Sequence, residues 1–202
     1  MTEIGHPDWI TVLSRGRSHL GYDQDWYPEP RQRLAGCGPT VGSMMAAYMQ
    51  RKYRGLKITD QAEAEKMMLE IWKYATPRMH GLYKSRWLEE GLNEYFKDNG
   101  FSLEAKALPI PPVKILAPSF EKVKTFIEEG LKSDSPVGFL NLHSGGEPIP
   151  YHWHWMIIVR MEEKEGRTIC TLWDEGKEYP FDLSRWLQHT KFGGGFVKVL
   201  EK

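Results

Sequence analysis

The sequence changes character near Pro136, and this change constrains the fold more than any other feature. Before it, apolar residues recur at helical spacing, and after it, short apolar runs alternate with turn residues. The predicted helices cover 38–51, 60–74, 85–98 and 119–132, with Asp60 and Ser119 as N-caps and a strand over 101–108. The later predicted strands cover 137–142, 153–161, 167–173 and 196–200, with a short helix over 182–187. Helices followed by antiparallel strands indicate an α+β fold.

The chain is long enough to form one domain with a sizeable core, since it has 202 residues, of which 41% are hydrophobic. We expect a single domain over 1–202 with three parts. These parts are an irregular N-terminal segment over 1–35, a mainly helical lobe over 36–132 and an antiparallel sheet lobe over 133–202.

Charge and cysteine content exclude several function classes. Lys+Arg and Asp+Glu both number 27, and no long basic run occurs, so nucleic acid is not an expected partner. The apolar stretches are too short to cross a bilayer, so we expect no membrane association. Two cysteines are too few for a disulfide scaffold, and the N-terminus lacks the pattern of a signal peptide. The expected location is therefore the cytoplasm.

Cys37 lies between two glycines at the predicted start of the first long helix. A helix N-terminus presents unpaired backbone N–H groups and a partial positive charge, and both favour a thiolate. A cysteine in this position is often reactive, although an isolated cysteine at a helix start is more commonly buried and inert. Cys170, in contrast, falls within an apolar strand and is predicted to be a small core residue.

His154 and Asp174 are the expected partners of Cys37. His154 opens one predicted strand, and Asp174 ends the next one. In an antiparallel hairpin the start of one strand lies beside the end of the other, so these two side chains should meet at one edge. A nucleophilic thiol needs a histidine that accepts its proton and a third group that orients the histidine.

A glutamine upstream of Cys37 is the expected oxyanion donor. Gln32 lies five residues before Cys37, and its amide could stabilise an oxyanion together with the backbone N–H of Cys37. An ordinary exposed glutamine between Arg31 and Arg33 is the alternative interpretation. Gln24 is the second candidate for the same role.

Other histidines and tryptophans allow different interpretations. His152 and His154 would share one face of a strand, and with His143 or His189 they could bind zinc. The aromatic residues of the strands are more commonly core residues than walls of a cleft; they are Trp153, Trp155 and Trp173.

Gln32 followed by Cys37-Gly38-Pro39-Thr40 resembles the papain-like cysteine peptidases related to the leader-peptide-cleaving (double-glycine) peptidase domains of bacteriocin exporters. The apolar run 136–140, His154 with its strand, and 173–176 are similar to later motifs of that family. Two positions differ from the family pattern. Arg31 stands where the glutamine is common, and Glu175 follows Asp174 where proline is usual.

The resemblance implies a papain-like fold in which a helical lobe carries Cys37 and a sheet lobe carries His154 and Asp174. It also implies thiol-dependent attack on a peptide or amide carbonyl through an acyl-enzyme, with Gln32 at the oxyanion and no cofactor or metal. Three alternatives remain open from the sequence: a transglutaminase-like acyltransferase, a zinc-binding His-x-His protein and a non-catalytic binding module.

Overall fold

Most helices lie in the first two thirds of the chain. The structure, a computed structural model, describes all residues from 1 to 202. The helices are α1 (Pro30–Ala35), α2 (Cys37–Arg54), α3 (Gln61–Tyr74), α4 (Ser85–Asp98), α5 (Phe120–Lys132) and α6 (Leu183–His189). The helices predicted from apolar spacing are confirmed, and α1 is an additional one.

The helix ends follow the capping residues of the sequence. The side chain of Asp60 accepts a hydrogen bond from the backbone N–H of Glu63 at 2.9 Å, and Ser119 caps α5 in the same way. Gly55 ends α2 in the left-handed conformation, with φ of 66°. These local signals explain why the helix boundaries were predictable.

The strands form one large antiparallel sheet and one small hairpin. The large sheet contains β1 (Thr2–Glu3), β4 (Leu103–Ile110), β5 (Val137–Asn141), β6 (His154–Lys164), β7 (Arg167–Asp174), β8 (Lys177–Asp182) and β9 (Gly194–Glu201). Its order is β4-β9-β5-β6-β7-β8, and β1 pairs with the later part of β6. The hairpin consists of β2 (Thr11–Ser14) and β3 (Arg17–Leu20). The α+β architecture is thus confirmed.

One expectation needs correction. Residues 1–35 are not simply irregular, because they contain β1, the β2–β3 hairpin and α1. The strand predicted over 101–108 is confirmed as β4, and it joins the large sheet by pairing along its whole length with β9. The chain therefore contributes a strand to the large sheet before it forms α5.

The core lies on both sides of β5, because successive side chains of a strand point to opposite faces. On one face, Gly138 lets α2 approach closely, since a Cβ at this position would lie 3.2 Å from both Val41 and Met45. On the other face, Phe139 stacks between Phe181 and Phe196 at centroid distances of 5.0 and 5.1 Å. Packing of α2 on β5 and β6 fixes where its N-terminus lies.

None of the helices combines the length and the apolar character that crossing a bilayer requires.

Candidate active site

Cys37 is the first residue of α2, and the glycines on either side of it are required by packing. A Cβ on Gly36 would lie 2.5 Å from the ring of Tyr27, and one on Gly38 would lie 2.7 Å from Leu82. Real Cβ atoms do not approach other atoms so closely, so neither position accepts a larger residue without rearrangement. Cys37 itself is partly buried and carries a free thiol.

His154 and Asp174 meet as predicted. The Nε2 atom of His154 lies 2.9 Å from Oδ1 and 3.1 Å from Oδ2 of Asp174. Both residues are buried, each with only 7% of its surface exposed. A buried carboxylate in this contact fixes the orientation of the ring and places the proton on Nε2. The Nδ1 atom remains available to another partner.

Backbone pairing of two strands creates this contact. Ile157 of β6 pairs with Trp173 of β7, so His154 and Asp174 both lie beyond that pair at the same edge of the sheet. His154 also pairs with Asn141 on β5. The backbone of His154 is therefore held by pairing with β5, and its ring reaches Asp174 at the end of β7.

The charge state of His154 reflects its neighbours. Burial of the ring opposes protonation, but the hydrogen bond with Asp174 and the interaction with the thiol of Cys37 outweigh it and raise the pKa of His154 to about 10. At neutral pH the imidazole accordingly holds a second proton. Cys37 lines the same cavity as Trp153 and Trp155, the two chain neighbours of His154, so the thiol lies near the segment that carries the ring.

A second carboxylate lies beside this pair. Glu175 follows Asp174 with φ of 48°, and the hydroxyl of Tyr151 donates to its Oε2 at 3.3 Å. Burial, together with the negative charges of Asp174 and Asp23, raises the pKa of Glu175. Tyr151 also stacks edge-on against the ring of His154, at a centroid distance of 5.1 Å. Sequence reasoning missed both residues, and the adjacency of Glu175 to Asp174 was the available signal.

An apolar cavity of about 240 Å³ lies beside Cys37. Its walls come from the end of α1, the end of β5, Trp153, Trp155 and the loop over 79–83. Trp155 is buried, whereas Trp153 has 54% of its surface exposed. Trp155 is thus a core residue, as expected, that also lines the cavity, whereas the exposed Trp153 contradicts the expectation of a core position. Trp173 remains a core residue and donates from Nε1 to Glu178 at 3.1 Å.

No protein-family model matches the chain, and no curated protein matches it significantly in sequence. The chemistry of the site is therefore inferred from its own residues and their geometry.

Gln32 does not join the site. Its Oε1 accepts a hydrogen bond from the backbone N–H of Glu29 at 3.3 Å, as part of a capping box at the start of α1. Cys37 follows the opposite end of that helix, and Gln32 is not among the residues that line the cavity beside the thiol. The prediction of Gln32 as oxyanion donor needs this correction, because the helix α1 was not predicted.

Gln24 also has a structural role. Its Nε2 donates to the backbone carbonyl of Arg33 at 2.9 Å, and its Oε1 is buried without a hydrogen-bond partner. This contact ties α1 to the segment that precedes it. It does not place the Gln24 amide at Cys37.

The other histidines do not converge with His154 on a metal. Trp153 has φ of 55°, which breaks the strand alternation that would put His152 and His154 on one face. His152 instead lies against His143, with ring centroids 5.1 Å apart. The only group whose ligand atoms lie close together is His154, Asp174 and Glu175, all within 4.8 Å of one another. There, Nε2 of His154 lies at hydrogen-bond distance from both oxygens of Asp174.

Cys170 has the environment predicted for it. It is completely buried on β7, and desolvation raises the pKa of its thiol. It is free, as is Cys37, so the two thiols do not form a disulfide. Only Cys37 is accessible for chemistry.

Proposed function

We propose that this chain is a thiol-dependent peptidase or amide hydrolase with a papain-like fold. The observation that carries the proposal is the buried hydrogen bond between His154 and Asp174, with Cys37 beside the same imidazole. A carboxylate that orients a histidine next to a thiol is the arrangement that nucleophilic catalysis by cysteine requires.

The proposed reaction has two steps. The thiolate sulfur of Cys37 forms a bond with the substrate carbonyl carbon, the C–N bond breaks, and the amine leaves with the proton from His154. His154 then takes a proton from water, the hydroxide attacks the thioester, and the S–C bond breaks. The products are a carboxylic acid and an amine, and the thiolate–imidazolium pair is restored. Asp174 orients His154 and stabilises its protonated form.

The oxyanion is stabilised in this proposal by backbone N–H groups at the first turn of α2. These groups have no partner within the helix, and they carry the positive end of the helix dipole. Since Cys37 is the first residue of α2, its carbonyl adduct would form beside them. No glutamine is required for this contribution.

The proposed fold agrees with the position of the catalytic groups. Cys37 starts a helix of the helical part, whereas His154 and Asp174 lie on adjacent strands of the sheet. This is the division that the resemblance to papain-like peptidases implies. The free thiol of Cys37 suits a reducing compartment, and we propose the cytoplasm.

The pH dependence of iodoacetamide labelling tests the proposal. Labelling at Cys37 and Cys170 is measured by peptide mass spectrometry in the wild type and in His154→Ala. We expect rapid labelling of Cys37 near pH 6.5, where a free thiol of pKa about 8.5 reacts slowly, and a large loss of rate in the variant. A profile that rises only near pH 8.5 and is the same in both proteins would reject the catalytic pair and favour a non-catalytic binding module.

A peptide library with an added amine separates hydrolysis from acyl transfer. We expect free acid as the main product. An amide formed with the added amine would instead identify a transglutaminase-like acyltransferase that uses the same acyl-enzyme.

A further inference from the structure

The cavity beside Cys37 is strongly apolar. Ten of its twelve lining residues are hydrophobic. Charged or hydrogen-bonding groups of a ligand would lose their hydration there without gaining partners. The cavity therefore suits a group without polar atoms.

The wall formed by the loop over 79–83 is fixed in place by contacts with three neighbouring elements. The carbonyl of Leu82 accepts a hydrogen bond from Trp155 Nε1 at 2.6 Å, and the side chain of Leu82 packs on Gly38. Tyr83 stacks edge-on against Trp87 at 4.8 Å, and the guanidinium of Arg78 lies 4.0 Å from the Trp87 ring centroid. The wall is thus tied to the sheet, to α2 and to α4, and the cavity is preformed.

Exposed apolar side chains surround the mouth of the cavity. Leu34 and Met79 have 86% and 89% of their surface exposed, and both also line the cavity. Trp153 and Phe192 are half-exposed and contact each other at a centroid distance of 6.2 Å. Exposed apolar patches of this kind mark binding sites. Here the patch is continuous with the cavity that contains the thiol.

We propose that this cavity binds a bulky apolar group of the substrate, namely an aromatic or branched aliphatic side chain next to the amide that Cys37 attacks. The inference rests on the proposed function and adds the substrate class. A cavity of about 150 Å³ accommodates benzene, so about 240 Å³ is sufficient for an aromatic side chain. A substrate with two glycines at this point would leave the cavity unfilled.

Paired alkylating reagents test the cavity without a known substrate. N-benzyl iodoacetamide carries an aromatic ring, whereas N-carboxymethyl iodoacetamide carries the backbone of glycine. In both cases the thiolate forms an S–C bond and iodide leaves. The rates at Cys37 are measured by intact mass and divided by the rates with glutathione. We expect the normalised ratio to favour the benzyl reagent about tenfold, because its ring leaves water on binding.

A double variant and a matched control test whether the preference for the benzyl reagent arises at the mouth of the cavity. Leu34→Gln combined with Met79→Gln changes exposed side chains at the mouth, so the fold is retained, and we expect the ratio to fall about threefold. Ile115→Gln combined with Leu116→Gln changes two exposed apolar residues that do not line the cavity, and the ratio should stay constant.

A normalised ratio near one in the wild type would overturn the inference, as would a ratio that the double variant at the mouth leaves unchanged. The same experiment in His154→Ala distinguishes the two proposals. If Cys37 is alkylated more slowly in His154→Ala but the benzyl-to-carboxymethyl ratio is preserved, both the catalytic pair and the cavity are supported. If neither the alkylation rate nor this ratio changes, the catalytic pair is rejected and the cavity is retained as a binding site for apolar groups.

Discussion

Two histidines, His143 and His154, lie at the two ends of the loop over 142–153, and their pKa values are shifted in opposite directions. At His154, the carboxylate of Asp174 and the thiol of Cys37 raise the pKa to about 10. At His143, burial, the neighbouring His152 and the charge of Lys191 lower the pKa. Desolvation opposes protonation at both sites; the neighbouring charges add to it at His143, whereas at His154 Asp174 and Cys37 outweigh it.

The hydrogen bonds show the same difference. The Nδ1 atom of His143 accepts from the backbone N–H groups of Gly145 at 3.1 Å and Lys191 at 3.3 Å. An imidazole that accepts at Nδ1 must be unprotonated there. His154 instead donates from Nε2 to Asp174. The ring of His143 therefore acts as a hydrogen-bond acceptor within the loop, whereas the ring of His154 donates to a carboxylate.

The largest expected effect comes from removing the negative charge of Asp174, which lies beside His154 and has no counterpart beside His143. In Asp174→Asn, the amide has no negative charge to stabilise the imidazolium, so the pKa of His154 should fall from about 10 into the neutral range. Labelling of Cys37 near pH 6.5 should slow by about a hundredfold. NMR titration of the His154 ring checks the first result and mass spectrometry the second. Persistence of the high pKa would show that Asp174 is not the group that sets it.

The next effect concerns stability at high pH. The folded pKa of His154 is about 10, above its ordinary value of about 6.5, so its stabilising contribution is complete below about pH 6.5 and is lost as the pH rises towards 10. Between about pH 7 and 10, the free energy of unfolding should fall more in the wild type than in His154→Gln, by on the order of 2 kcal/mol. Urea unfolding of both proteins at each pH provides the measurement.

The glutamine variant is a matched control because its Nε2 can still donate to Asp174 but does not titrate. Tyrosine ionisation contributes equally to both proteins and cancels in the difference. Parallel losses of stability in the two proteins would contradict the elevated pKa of His154.

A smaller effect of opposite sign is expected at the other site. The pKa of His143 is lowered on folding, so its contribution is present above its ordinary value of about 6.5 and is lost as the pH falls below it. His143→Asn retains an acceptor near the position of Nδ1 but does not titrate. Between about pH 7 and 5, its melting temperature should therefore fall less than that of the wild type. Circular dichroism measures both, and equal falls would exclude His143 as an acid-sensitive group.

The smallest effect tests the residue that separates the two sites in the chain. Trp153 has φ of 55°, a conformation that glycine adopts without strain and alanine does not. Trp153→Gly should therefore be more stable than Trp153→Ala by about 1 kcal/mol, although both lose the same cavity wall. Chemical denaturation of the two variants gives this difference directly. A more stable alanine variant would mean that the loop relaxes out of this conformation.

The sequence was sufficient to predict the elements with strong local signals. Helix α3 follows an Asp60 cap and has a regular apolar face, and α4 begins and ends as predicted. The contact of His154 with Asp174 was also predictable, because it follows from the order of two strands in a hairpin. Local sequence and chain direction together specify these features.

Other features depend on contacts that no local pattern reveals. The strand β8 is an edge strand in which three of six residues are exposed and one is a proline, so its apolar alternation is limited to Tyr179 and Phe181. The cavity wall over 79–83 has no regular structure and is placed by Leu82 and Trp155, which are distant in sequence. The error at Gln32 has the same origin, since its contact with Glu29 depends on a helix that was not predicted.

The glycines beside Cys37 have a consequence for how this protein is compared with its relatives. Gly36 is restricted by Tyr27, and Gly38 by Leu82, independently of whether the thiol reacts. Packing alone would therefore favour both glycines in a relative without the proposed chemistry. Retention of the glycine pair would reflect this packing, whereas joint retention of Cys37, His154 and Asp174 is the pattern that the proposed chemistry requires.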